Sequence, residues 1–155
     1  MGRVYSASFV DVAVTAIQDL FQITAHSTGV VLLHEIHISQ RSDVGDAAEE
    51  ILLLELTRGY TATGSGGSTL TPGTMNPGDT AFGGTVLANN TVQASTGTPV
   101  NLGRWTFNIR AGFDKVWTPE TRPIASASTI VVLELPVAPS NSMTMSGTIV
   151  FEALG

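Results

Sequence analysis

The sequence predicts an all-β protein, an antiparallel β-sandwich or jelly roll of about eight strands with little helix. Three observations lead there. Apolar and polar residues alternate with period two in several stretches. Gly-, Ser-, Thr- and Pro-rich turns separate those stretches. No long segment keeps the 3.6-residue period of an amphipathic helix. The 155 residues suit a single domain, 1–155, with enough chain to bury a core.

The first strand breaks its own alternation. Tyr5, Ala7 and Phe9 share one face, then Val10, Val12 and Val14 take over on the other, so a β-bulge is expected between Phe9 and Val10. VTAIQDLFQIT fits either a helical turn or two, or a second strand from Leu20 to Thr24 after a tight turn. VVLLHEIHIS and ILLLELTRGY are apolar on both faces, which marks central strands or strands with one face against another subunit. Between them DVGDAAEEI offers one helical turn, capped by Ser42 or Asp43, with its acids where the helix dipole favours them. Residues 61–80 read as a loop in which Gly64, Gly66 and Gly67 supply backbone freedom while Pro72 and Pro77 stiffen its second half. RWTFNIR alternates throughout and directs Trp105, Phe107 and Ile109 to the core. TIVVLELPV places Val131, Leu133, Leu135 and Val137 on one face. MTMSGTIVFEA does the same for Met143, Met145, Ile149, Phe151 and Ala153, with Gly147 between them.

Charged residues make up 13% of the chain, about half the ~25% of ordinary soluble proteins. Such a surface is covered by Thr, Ser, Gly and Asn or hidden against partners. A net charge of −6 with one lysine, Lys115, argues against nucleic-acid binding by phosphate neutralisation. The absence of cysteine rules out disulfides and thiolate metal sites. The opening MGRVYSASFVDVAV lacks the apolar core of a signal peptide, and no apolar run approaches the ~20 residues of a membrane-spanning helix. No membrane partner is therefore expected.

The chemical motifs fail on spacing or context. An EF-hand loop starting at Asp43 is excluded, because Gly45 and Ala47 stand where oxygen ligands are needed. A looser calcium site from Asp43, Asp46, Glu49 and Glu50 competes with a capped, solvated turn, which is preferred. GSGGSTLTPG lacks the lysine and the following helix of a phosphate-binding loop. HEIHI is not a zincin motif: His34 and His37 are three apart in a strand and are expected on opposite faces, His34 as a hydrogen-bonded core or interface residue and His37 beside Glu35. No nucleophile signature is present. Neither an enzyme nor a cofactor nor a metal is expected. Asn89-Asn90-Thr91 matches a glycosylation sequon and is read as a polar turn.

Charge is segregated. Six of the thirteen acids lie between Glu35 and Glu55, and four of the seven bases between Arg104 and Arg122, interleaved with Trp105, Phe107, Phe113 and Trp117. Aromatics with arginine are the usual anchors of protein interfaces. Phe113, Lys115, Trp117 and Arg122 are accordingly expected at an interface. An N-terminal arm (residues 1–6, with Gly2, Arg3, Val4 and Tyr5) and the loop from Gly64 to Thr80 are expected to join them. An acidic and a basic segment on one small domain suit head-to-tail contacts in a homo-oligomer such as a trimer.

The order of these segments resembles the small, cysteine-free, Gly/Thr-rich β-sandwich proteins that decorate or cement the capsids of tailed bacteriophages. The resemblance runs through SQRSDVGDAAEEILLLELTRGYTATGSGGS, then NIRAGFDKVWTPETRP, then STIVVLEL and SMTMSGTIVFEAL, covering most of the chain from Gln40 onward. It implies attachment to the outer face of an assembled shell, the major capsid protein as partner, a trimeric state, a place on the virion surface after synthesis in the host cytoplasm, and no enzymatic activity. It carries over no functional residue. Head-fibre and tail components share the sequence type. The competing expectation is therefore a carbohydrate- or receptor-binding module, with Trp117 and Asp114 as its site.

Overall fold

The computed structural model describes residues 2–41 and 49–155. Twelve strands form two antiparallel six-stranded sheets packed face to face. Sheet I contains β1 (Arg3–Val14), β3 (Val30–Gln40), β6 (Gly73–Thr74), β9 (Phe113–Val116), β10 (Ile124–Ala125) and β12 (Met143–Leu154). Its order is β10-β3-β12-β1-β6, with β9 sharing the edge of β3. Sheet II contains β2 (Gln18–Thr24), β4 (Ile51–Ala62), β5 (Ser68–Leu70), β7 (Thr85–Asn90), β8 (Ser95–Asn108) and β11 (Ile130–Leu135), in the order β5-β7-β2-β11-β4-β8. Eight strands have six or more residues; seven of them contain the stretches read as strands, and the eighth, β7, ends in Asn89 and Asn90, which were read as a polar turn. Of the four short ones, β5 and β6 lie in the segment read as a loop. Segment 61–80 is tied down: β4 runs on to Ala62, Ser65 bridges Val92, and β5 and β6 come next. Among the described residues Pro119–Thr121 is the one 3-10 turn and there is no α-helix. The helical turn expected in DVGDAAEEI falls mostly on residues 42–48, outside the described residues.

Residues 3–6 are not an arm. Arg3 to Ser6 pair with Ala153 to Val150 of β12, and Tyr5 is 2% exposed. The reason is the alternation itself: Tyr5, Ala7 and Phe9 all point inward and are buried. The Tyr5 ring lies 5.6 Å from that of Phe151 and 5.4 Å from that of Phe82, and its hydroxyl donates to the Thr80 carbonyl at 3.0 Å. Phe9 meets Phe21 at 5.0 Å across the gap between the sheets.

The bulge in β1 is present, one residue later than expected. Phe9 pairs with Gly147 and Val12 with Met145, so Val10 and Asp11 together oppose Ser146. Asp11 adopts φ 53°, and its amide bonds Ser146 Oγ at 3.0 Å. Val10 therefore stays outside, 69% exposed, and only Val12 and Val14 turn inward. β11 stops at Leu135 because Pro136 cannot donate to the ladder, which leaves Val137 exposed.

Gly147 is the glycine that the core needs. A methyl group there would stand 2.8 Å from both Ile38 Cδ1 and a Phe9 ring carbon. Overpacking of this kind costs about 1–3 kcal/mol. Gly147→Ala should lower the urea midpoint by a corresponding amount without changing the slope. An unchanged midpoint would show that Phe9 and Ile38 move aside freely.

Candidate functional surfaces

The aromatic segment 104–122 does its work inside one chain. Phe113 and Trp117 are 9% and 8% exposed and belong to the core. β9 brings Phe113 and Lys115 to the inner side of sheet I, against the end of β8 in sheet II. Trp105 lies 5.6 Å from Phe113 and 6.3 Å from Trp117 between ring centroids, and Phe107 lies 5.7 Å from Phe113. Lys115 Nζ stands 6.0 Å and 5.8 Å from the Trp105 and Trp117 rings, at the outer limit of cation–π attraction. This clasp closes one side of the sandwich. Phe113 and Trp117 thus have little apolar surface left for the partner contact expected of them, while Lys115 stays partly exposed beside them. Trp117 also offers no open ring on which a sugar would stack.

Arg122 sits on the outer side of sheet I in a polar group. Glu152 Oε2 lies 3.1 Å from His34 Nε2 and 3.8 Å from Arg122 Nη1. His34 was expected on the opposite face from His37, and the register shows why it is not. Val150 pairs with Glu35 but Phe151 pairs with Leu33, so His34 is an extra residue in a bulge. The bulge turns His34 outward with Glu152, while Val31, Leu33, Ile36 and Ile38 all stay inside.

His37 does stand beside Glu35, as expected. Its Nδ1 lies 2.6 Å from Asp114 Oδ1 and its Nε2 lies 3.2 Å from Glu35 Oε2. The Asp114 bond, then the Glu35 bond, hold its pKa above the ordinary value. Both ring nitrogens face carboxylate oxygens, which favours the imidazolium; in that form neither nitrogen has a lone pair for proton abstraction or metal ligation. Ser8 and Thr148 lie in the same cross-strand row and bond each other at 2.9 Å rather than the ring. Among the described residues, no group of three or more His, Cys, Asp or Glu could hold a metal ion. Of the acids considered for calcium, Asp43 and Asp46 lie outside the described residues, and Glu50 Oε1 accepts from the Ser140 amide at 2.6 Å.

The sequence reading missed a buried polar row on sheet II. Asn90, Asp19, Glu134, Glu55 and Arg104 stand side by side, one each on β7, β2, β11, β4 and β8. They occupy the face away from the core. Yet Asp19 and Asn90 are 1% exposed and Glu134 is 8% exposed. A strap made of residues 63–67 and 91–94 covers them. Ala94 N donates to Asp19 Oδ2 at 2.7 Å, and Gly64 N donates to Gln22 Oε1 at 2.8 Å. Ala94 packs on Ile130, Val132 and Tyr60 in a small second core. Burial pushes Asp19 up to about 7. The Ala94 amide opposes that shift and the charge of Glu134 adds to it. Glu134 is raised by burial as well, with Thr57 and Tyr60 as opposing donors and Glu55 as a like charge. Tyr60 is pushed up to about 12 by burial and then by Glu134.

Two other surface features stand apart from these clusters. An open cleft of about 240 Å³ is lined by Arg3, Tyr5, His26, Phe82 and Leu154, among others. Strand edges are the second. The first six residues of β8, Ser95–Val100, are exposed along the edge of sheet II. Val116 and Ile124, 60% and 42% exposed, mark the edge of sheet I. Comparison with protein-family models, curated proteins and solved structures finds no match to this chain.

Trp117→Ala should destabilise the isolated chain by about 3–5 kcal/mol, the usual cost of emptying a large aromatic site; a melting temperature within a degree or so of the parent would return Trp117 to the surface. Asp19 keeps its proton in the folded chain to about pH 7, against an ordinary 3.8. Folding therefore takes up a proton between those values. The stability tied to the neutral side chain is complete below the lower value and is lost as pH rises through the upper one. Asp19→Asn mimics the neutral form, so its stability relative to the parent should rise across this interval and level off above it. Thermal melts over the interval check this, and a constant difference would contradict it.

Proposed function

We propose that this chain is a structural virion protein that binds and stabilises the outer surface of an assembled bacteriophage capsid. What supports the reading is the character of its surface. Charges are sparse, at 13% of residues, and the edges of both sheets carry exposed apolar side chains: Val116 and Ile124 on sheet I, Val100 on sheet II. Contacts to a protein lattice need broad polar and apolar area held on a rigid frame, and strand edges add unpaired backbone donors and acceptors. A ligand that binds only the assembled shell stabilises that shell by mass action. The resemblance in sequence type points the same way.

The contact surface differs from the one expected. Tyr5, Phe113 and Trp117 belong to the interior. Of the residues 113–125, those that reach outward are Asp114, Val116 and the turn 118–121, then Ile124. The major capsid protein remains the proposed partner and a trimer the proposed assembly, with the edge at Val116 and Ile124 as the first contact to examine.

Sedimentation with phage heads stripped of the protein tests the proposal. The parent chain should pellet saturably with assembled heads and not with unassembled coat subunits. Val116→Asp combined with Ile124→Asp should weaken pelleting at least tenfold while leaving the melting temperature within a few degrees, because both side chains are exposed. No pelleting of the parent with heads would overturn the capsid reading.

A further inference from the structure

Two carboxyl oxygens on neighbouring strands, Asp19 Oδ1 and Glu134 Oε1, are buried without a hydrogen bond within the usual distance; the Gln93 amide, equally unpartnered, is the neutral donor that faces Asp19, and Glu134 Oε1 has no such neighbour. Their residues are register partners, Asp19 on β2 and Glu134 on β11, so their side chains leave the sheet on the same side roughly 5 Å apart at Cβ. The other oxygens are engaged. Asp19 Oδ2 accepts from Ala94 N at 2.7 Å, and Glu134 faces the hydroxyls of Thr57 and Tyr60. Buried orphan oxygens call for an explanation. Two adjacent carboxylates can resolve both with a single proton.

We propose that Asp19 and Glu134 share one proton between Oδ1 and Oε1, and that this proton holds the strap of residues 91–94 down on sheet II. The proposal does not depend on the capsid reading. With the proton present, the pair carries one negative charge. That charge is met by the Ala94 amide and the two hydroxyls. Without it, two full charges lie side by side under the strap. The groups around the pair do not neutralise them. β4 supplies Glu55 and the neutral phenol Tyr60, β7 supplies the Asn90 amide, and the strap supplies the Gln93 amide. Arg104 on β8 is the cation of the row, and its Nε bonds Glu55 at 2.6 Å. Loss of the proton does strengthen the single Ala94 bond, because its acceptor becomes fully charged. Burial outweighs that bond at Asp19. The relief available is water, and water reaches the pair only when Ala94 lifts from Asp19, Ile130 and Val132.

The experiment is backbone hydrogen exchange on the full chain. Protection factors, corrected for intrinsic exchange, are followed from about pH 5 to about pH 9. If opening requires loss of one proton, protection of the Ala94 amide should fall by about tenfold per pH unit up to the titration of the pair and level off above it. Ala94 protection should also lie well below that of Phe151 in β12 at every pH, as it must if the strap opens without global unfolding. In Glu134→Gln, the amide donates to Asp19 Oδ1 without a titrating proton, and Ala94 protection should lose its pH dependence. Flat protection in the parent, or the same slope in Glu134→Gln, would overturn the proposal. Should the variant not fold, a carbon-13 titration of the parent carboxyls decides: one of the pair still protonated at about pH 6 is expected, and both ionised would refute it. Strap protection that follows added calcium chloride and not pH would also refute it, assigning the pair to a cation.

Discussion

A strand in a two-sheet sandwich buries every second residue, and a long strand keeps that rule only by inserting bulges where its inward and outward residues would otherwise exchange. Four consecutive strands of this chain do so. In β1 the extra residues let Val12 and Val14 follow Phe9 inward. In β2, Phe21 pairs with Leu133 and Asp19 with Glu134, so Leu20 is extra. Without that bulge Asp19 would share the inner face with Phe21 and Ile23, an ionisable group in the middle of the core. In β3 the extra residue is His34, and in β4 Gly59 takes a φ of 94° where Arg58 and Tyr60 change register with β8. Asp19 and His34 each owe their face to one of these insertions.

The bulges set faces, and the aromatic clasp sets the distance between sheets. Trp105, Phe107, Phe113 and Trp117 come from strands of opposite sheets and meet at one side of the sandwich. β9 and β10 are short, and the 3-10 turn between them would be a free loop without Trp117 packed beneath it. Trp117 N also donates to the His34 carbonyl, and Leu33 N to the Pro123 carbonyl. The loop from 117 to 123 is thus sewn to β3 at both ends. This presents Val116 and Ile124 outward on a rigid edge, and no bulky side chain need stay exposed for them to do so.

The sequence shows the long strands because period two is a local property. RWTFNIR and MTMSGTIVFEA place Phe107, Ile109, Met143, Met145, Ile149 and Phe151 inside, and all six are buried. The bulge in β1 is legible for the same reason, since both halves of the strand are strongly patterned. The orientation of His34 is not, because its bulge depends on how Val150 and Phe151 pair with β3, a contact across more than a hundred residues. Phe113 and Trp117 read alike as anchors or as core, since an aromatic beside a base suits either. The acid row was missed because plain alternation puts Asp19 on the face of Phe21 and Ile23, and only the bulge at Leu20 brings it beside Glu134. Their cover comes from residues 63–67 and 91–94. The available hint was that two Gly/Ser/Thr-rich segments flank β5 and β7 with enough chain to fold back over the sheet.

Two acids beneath a strap are less stabilising than two apolar residues of the same shape, since each buried ion costs several kcal/mol before its partners respond. What they add is direction. Apolar contact alone would hold Ala94 against Ile130 and Val132 at any of several offsets. The bond from Ala94 N to Asp19 Oδ2, and the one from Gly64 N to Gln22 Oε1, each admit a single register. That register matters because Ala94 is followed directly by Ser95, the first residue of the edge strand β8. The exposed half of β8 pairs with β4 from Ser95 to Val100, and the strap fixes the chain just before it. Through Ala94, one residue before that edge strand, the buried carboxyl pair ties the position of the edge to the charge beneath the strap. No apolar pair could supply that coupling.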